Sequence, residues 1–146
     1  MKISTKGRYG LRALIDVAAQ ENAGCVTLKS IATRLGLSEA YLEQIFAALK
    51  RGGFVRSVRG ARGGYSLSCL PEETSVAHVL RALEGSLYPV DCLSDADKAA
   101  CGSVGCASCV ARPVWEKMYN SMNDVLESMS LASLVKDYRG DEGNGA

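Results

Sequence analysis

The sequence predicts a mainly α-helical fold that carries one small β-hairpin. Three observations support this. Apolar residues recur at helical spacing through most of the chain. Two of the helical stretches are short and meet at a tight turn, Gly36-Leu37-Ser38. A glycine- and arginine-rich segment, Arg59-Gly60-Ala61-Arg62-Gly63-Gly64, separates two short alternating runs. Together they describe a winged helix-turn-helix followed by a long C-terminal dimerisation helix. A length of 146 residues suits one domain, or a small domain with an appended element.

Each element has its own signals. Ser4 or Thr5 caps a first helix reaching about Asn22, with Leu11, Leu14, Ile15 and Ala18 as its buried stripe. Thr27 caps a second helix, Leu28 to Leu35, which Gly36 ends. Ser38 caps a third, Glu39 to about Lys50. Ile31, Leu35, Leu37, Leu42, Ile45, Phe46 and Leu49 supply a shared apolar seam. Phe54 to Val58 and Tyr65 to Ser68 alternate as strands on either side of the basic tip, forming the wing. Tyr65 is expected to pack beneath it. Thr74 or Ser75 caps a helix to about Glu84. From about 86 to 109 the chain lacks periodicity and is rich in Cys, Gly, Asp and Ala. A stretch of that kind reads as a functional loop. Pro113 opens a long helix to about 130, where Trp115, Met118, Met122, Val125 and Met129 alternate three and four residues apart. That heptad seam calls for a partner helix, best supplied by a second copy. A short apolar turn follows at 130–135, and 139–146 reads as a disordered tail. The expected division is a DNA-binding unit at 1–68, then helix, cysteine loop and dimer helix at 69–138.

Charge divides the same way. Residues 1–65 hold 11 Lys and Arg against 4 Asp and Glu, a net of +7. Residues 66–146 hold 6 against 12, a net of −6. A basic first half suits a polyanion such as double-stranded DNA. The third helix turns Ser38, Glu39, Tyr41, Glu43 and Gln44 away from its apolar seam. Glu accepts from the cytosine amino group and Gln pairs with adenine. Ser38 and Tyr41 suit phosphate contacts. Phosphate repels a carboxylate that does not read a base edge, so Glu43 reads as a specificity determinant. At the wing tip, Arg59 and Arg62 suit a narrow minor groove, and Gly63 lets the backbone come close. Lys2, Thr5, Lys6 and Arg8 add contacts at the start of the first helix.

Other function classes find little support. The basic start lacks an unbroken apolar run, so no secretory signal is predicted. No run approaches the length needed to span a bilayer. A cytoplasmic, membrane-free protein is expected, where structural disulfides are rare. Six cysteines then point to metal, redox chemistry or burial. Cys92, Cys101, Cys106 and Cys109 lie within 18 residues, and thiolates favour iron–sulfur clusters, zinc or copper(I). Cys25, Cys69 and the lone His78 read as structural. A thiol oxidoreductase using Cys106-Ala107-Ser108-Cys109 is a remote alternative, because the motif lacks a βαβ setting. No Ser-His-Asp set or phosphate loop is apparent, so an enzyme is not expected.

The motifs at Met1 to Leu11, Leu28 to Ala32, Leu37 to Gln44 and Val58 to Tyr65 resemble the Rrf-type winged-helix regulators, in register through about residue 138. That family includes iron–sulfur cluster regulators, nitric-oxide sensors and cysteine-metabolism repressors. The resemblance implies a homodimer crossed through the long helix. It implies Glu43 and Gln44 in the major groove and Arg59 in the minor groove. It also implies a cluster of two or four irons on the loop. Cys92 and Cys109 fit the first and last ligand positions, and Cys101 the middle one with Cys106 as its competitor. The cluster regulators place a histidine three residues after the last cysteine; here that residue is Arg112, which cannot ligate. The nitric-oxide sensors use an acidic residue where this chain has Arg8. The fourth ligand stays open, and the fourth loop cysteine is one choice. The cysteine-metabolism repressors give the other reading: a cluster-free regulator acting through a thiol switch, zinc or a partner such as a cysteine-biosynthesis enzyme.

Overall fold

The computed structural model describes residues 2–94 and 108–144. The chain runs α1 (Thr5–Ala19), α2 (Leu28–Leu35), α3 (Glu39–Arg51), β1 (Val55–Val58), β2 (Gly64–Leu67), α4 (Val76–Glu84), α5 (Arg112–Ser128) and α6 (Leu131–Asn144). Short 3₁₀ turns occupy Glu21–Ala23 and Asp91–Leu93.

Side-chain oxygens start the first four helices. Ser4 accepts from the Gly7 amide at 3.1 Å, Thr27 from Ser30 at 3.2 Å, Ser38 from Tyr41 at 3.2 Å and Ser75 from His78 at 3.1 Å. Each satisfies one amide that the first helical turn leaves without a partner. Between the candidates at each start, Ser4 and Ser75 are the caps; Thr74 is buried and donates to the Leu70 carbonyl at 2.8 Å. Helix α1 stops at Ala19, short of Asn22, and the chain tightens into the 3₁₀ turn.

β1 and β2 pair antiparallel, with Val55 opposite Leu67 and Val58 opposite Gly64. A single bridge between Val26 and Tyr65 ties this hairpin to the segment before α2. The main core joins α1, α2, α3, the hairpin, α4 and α6 through Leu14, Val17, Ile31, Leu42, Ile45, Phe46, Leu49, Phe54, Val79, Leu131 and Val135. Burying such side chains stabilises each by about 1.5–3 kcal/mol. α1 and α4 pack closely at Gly10, where a Cβ would stand 2.6 Å from the Leu83 side chain. A second cluster, Val76, Leu80 and Leu87, gathers Ile3 from the N-terminus and Tyr119, Met122 and Leu126 from α5.

α6 corrects the expectation at the C-terminus. Helix continues from Leu131 to Asn144, through the short apolar turn and into the segment expected to be a disordered tail. The physical reason is tertiary. Leu131 and Val135 are buried in the main core. The Tyr138 hydroxyl donates to Asp16 Oδ1 at 3.3 Å. The Arg139 guanidinium donates to the Ala19 carbonyl at 2.6 Å, covering one of the bare carbonyls at the end of α1. Backbone bonds from Val76 to Met129 and from Leu131 to Thr74 fasten the α5–α6 junction to the start of α4. No described helix is long and apolar enough to cross a membrane.

Candidate nucleic-acid interface

Helices α2 and α3 form the helix-turn-helix, and α3 separates its faces cleanly. Leu42, Ile45, Phe46 and Leu49 are buried, while Glu39, Glu43, Gln44 and Lys50 are exposed. Ser38 is exposed and its oxygen caps α3, which leaves the hydroxyl proton available to donate. Tyr41 is half-buried; its ring meets Tyr9 of α1 edge-on, centroids 6.2 Å apart. The guanidinium carbons of Arg8 and Arg12 lie 5.8 and 5.7 Å from the Tyr9 ring centroid. Lys2, Thr5 and Arg8 are exposed and Lys6 is half-buried. Arg12, one helical turn after Arg8, adds a further exposed cation to this face.

The wing is joined to α3 from beneath. Tyr65 stacks at a tilt on Phe46, centroids 4.5 Å apart, and Lys50 donates to the Ser57 hydroxyl at 3.0 Å. At the tip, Arg59 and Arg62 are exposed, and the Gly63 amide donates to the Gly60 carbonyl at 3.0 Å to close the turn. A Cβ at Gly63 would stand 2.2 Å from the Val58 carbonyl oxygen, so the tip admits only glycine there without moving. The exposed α3 polar residues, the basic start of α1 and the arginine wing are thus all fixed to one packed frame.

The cysteines divide. Cys92 lies in the 3₁₀ turn and Cys109 just before α5; both are half-buried. Cys101 and Cys106 lie outside the described residues. Among the described residues, no three His, Cys, Asp or Glu side chains group as a metal site. The donor set present, thiols at both ends of one loop, is of the soft kind that iron–sulfur centres, zinc and copper(I) take. Cys25 and Cys69 are half-buried rather than fully enclosed. Burial pushes the Cys69 thiol above its ordinary range. His78 is exposed and rests edge-on against Phe54.

α5 carries two faces. Tyr119, Met122 and Leu126 join the second core cluster, and Arg81 of α4 pairs with Glu127 at 2.7 Å and with Asn123. None of the helix's 17 residues is buried in the single chain. Val114, Met118, Val125 and Met129 stay exposed, Val125 at 59%. The heptad seam is therefore split: Met122 faces its own chain, Trp115 is half-buried, and Met118, Val125 and Met129 face outward.

The sequence matches the Rrf2 family, described as an iron-dependent transcriptional regulator, over residues 3–137. The chain belongs to the Rrf2 family. The Bacillus subtilis regulator CymR is 39% identical over 142 residues, covering 97% of this chain and 95% of that protein. The solved structure of CymR, the global cysteine regulator of B. subtilis, superposes with a TM-score of 0.75 over 93% of this chain and 97% of its own. The structure of T. potens IscR gives a TM-score of 0.74 at 44% identity, covering 94% of this chain and 88% of that one. This Rrf2 protein is a DNA-binding transcriptional regulator of winged-helix fold, and not an enzyme.

Proposed function

We propose that this Rrf2 protein is a homodimeric, sequence-specific regulator that senses iron–sulfur cluster or redox status through its cysteine loop. The DNA-reading unit is residues 1–68, with Glu39, Glu43 and Gln44 facing base edges, Arg59 and Arg62 entering a minor groove, Lys2, Thr5, Lys6, Arg8, Ser38 and Tyr41 on the phosphates, and Gly63 letting the wing come close. Two copies join through the outward face of α5, where Met118, Val125 and Met129 leave apolar surface that a partner helix would cover. Two-fold symmetry in the protein suits paired half-sites in DNA.

Cys92, Cys101 and Cys109, with Cys106 as alternative or additional ligand, would hold the cluster. When bound, such a group supplies a centre whose occupancy and oxidation state respond to iron and oxidants. The observation that carries the reading is the short route from loop to DNA face. Leu87, on the loop's stem, is buried in the same cluster as Ile3. Next to it, Glu84 accepts from the Ser4 amide at 3.0 Å and from the Ser4 hydroxyl at 2.5 Å. Any reordering of the stem therefore bears on the N-terminal segment that carries Lys2, Lys6 and Arg8.

The likeness to CymR favours a second reading, a cluster-free regulator of sulfur metabolism acting through a thiol switch, zinc or a partner enzyme. One experiment separates them. Protein purified anaerobically should be brown, with visible charge-transfer absorption and matching iron and sulfide. Colourless protein that takes up no iron on anaerobic reconstitution overturns the cluster reading, and zinc in the same metal analysis would favour the second.

A further inference from the structure

Arg112 is the first residue of α5 and lies three residues after Cys109. Its backbone amide donates to the Cys109 carbonyl at 3.2 Å. Its guanidinium Nη1 donates to the Cys92 carbonyl at 3.0 Å. The same guanidinium is aimed by Glu116, one turn along α5, which accepts from Nε at 2.7 Å. Arg112 also lines a cleft with Tyr88, Leu93 and Tyr119, where the Tyr88 and Tyr119 rings stack 4.7 Å apart. One residue thus binds the main chain of both the first and the last loop cysteine, which are 17 positions apart in the chain.

We infer that Arg112 is a positioning residue: it sets the placement of Cys92 relative to Cys109 by holding the carbonyl of each, with Glu116 fixing its own orientation. The inference rests on the cluster reading for its purpose, since a pair of thiols held at a set separation is what a shared soft metal centre needs. Its geometry stands without that reading. Bringing two positions of a chain together costs entropy that grows with their separation, and a contact joining Cys92 to the start of α5 carries part of that cost before any metal arrives. The planar guanidinium fork suits the task, because it can donate to Glu116 and to Cys92 at once. Lysine has one compact donor head and cannot span both partners in this arrangement.

The test begins on metal-free protein, with Arg112→Ala, Arg112→Lys and Glu116→Gln compared with the parent. Amide exchange at Leu93 and Ser94 and iodoacetamide labelling of Cys92 should each rise about tenfold in Arg112→Ala, the loss of one charge-assisted hydrogen bond. Arg112→Lys should recover part of the protection, and Glu116→Gln should show a smaller loss in the same direction. Exchange in α3 and the wing should stay at parental rates, which shows that each variant is folded. Anaerobic loading with ferrous iron and sulfide then follows; Arg112→Ala should give up iron to a chelator faster than the parent. Exchange and labelling within twofold of the parent in Arg112→Ala would overturn the inference. So would unchanged iron retention alongside a freed Cys92. If the parent binds no iron but the metal-free results hold, the clamp stands and the cluster reading alone falls.

Discussion

The sharpest energetic prediction concerns Asp16, a carboxylate with no exposure to solvent, on the face of α1 that α2 and α6 cover. Arg34 of α2 grips it with both arms of its fork, Nε to Oδ1 at 2.8 Å and Nη2 to Oδ2 at 2.7 Å. The Tyr138 hydroxyl donates to Oδ1 from α6. The two partners are unequal, because the Arg34 side chain is 32% exposed while Asp16 is sealed. Arg34→Ala leaves a sealed charge without its main partner and should cost about 3 kcal/mol, the low end for breaking a buried pair because water reaches the vacated side. Asp16→Ala removes the sealed charge itself and frees Arg34 to turn into water. Its cost should be about 1 kcal/mol, the lost hydrogen bonds offset by alanine's better helix propensity. The double variant should resemble Asp16→Ala, so that removing Arg34 is nearly free once the carboxylate is gone. Urea unfolding of the three variants at one fixed protein concentration measures this. If Asp16→Ala costs as much as Arg34→Ala, or the two effects simply add, the asymmetry argued from burial is wrong.

Other predictions follow from single features. Gly63→Ala should weaken operator binding in fluorescence anisotropy by tenfold or more with little change in stability, because the wing tip must shift to clear the Val58 carbonyl. Unchanged affinity would remove the wing tip from the interface. Val125→Glu should convert the dimer to monomer in sedimentation equilibrium, since a charge on that exposed apolar face cannot be sealed against a copy of itself. A parent that is monomeric, or a variant that stays dimeric, would move the interface elsewhere. Cys69 should label slowly with iodoacetamide at neutral pH, because burial holds it as the thiol and the thiolate is the nucleophile. The sign follows for stability too. With the folded thiol raised above its ordinary value, its contribution is present below that value and lost as pH rises through the folded one. Labelling of Cys69 as fast as a free thiol would contradict this.

What could be read from the sequence was what local chemistry determines. Ser38 and Thr27 announce helix starts because their own side chains cap the adjacent turn. The glycine and arginine tip announces a wing because the close turn at Gly63 is a property of that residue. The exposed Glu43 and Gln44 follow from the apolar seam opposite them, since a helix with one buried side turns the other outward. α6 could not be read this way. Gly140 and the acidic residues after it disfavour a helix locally, and contacts with residues more than a hundred positions away oppose that disfavour: Tyr138 to Asp16, Arg139 to Ala19. Asp16 carries no local signal of its pairing, because its partner Arg34 is brought to it by the packing of α1 on α2. Arg112 is the clearest case. Side-chain chemistry alone says that it cannot ligate a metal, which is true and incomplete. Its two carbonyl partners come together only once the loop's stem folds back on the start of α5. Cysteine spacing therefore points to the class of centre that the loop would suit, while, with Arg112 as the clamp we infer, the placement of Cys92 depends on a residue that is not itself a ligand.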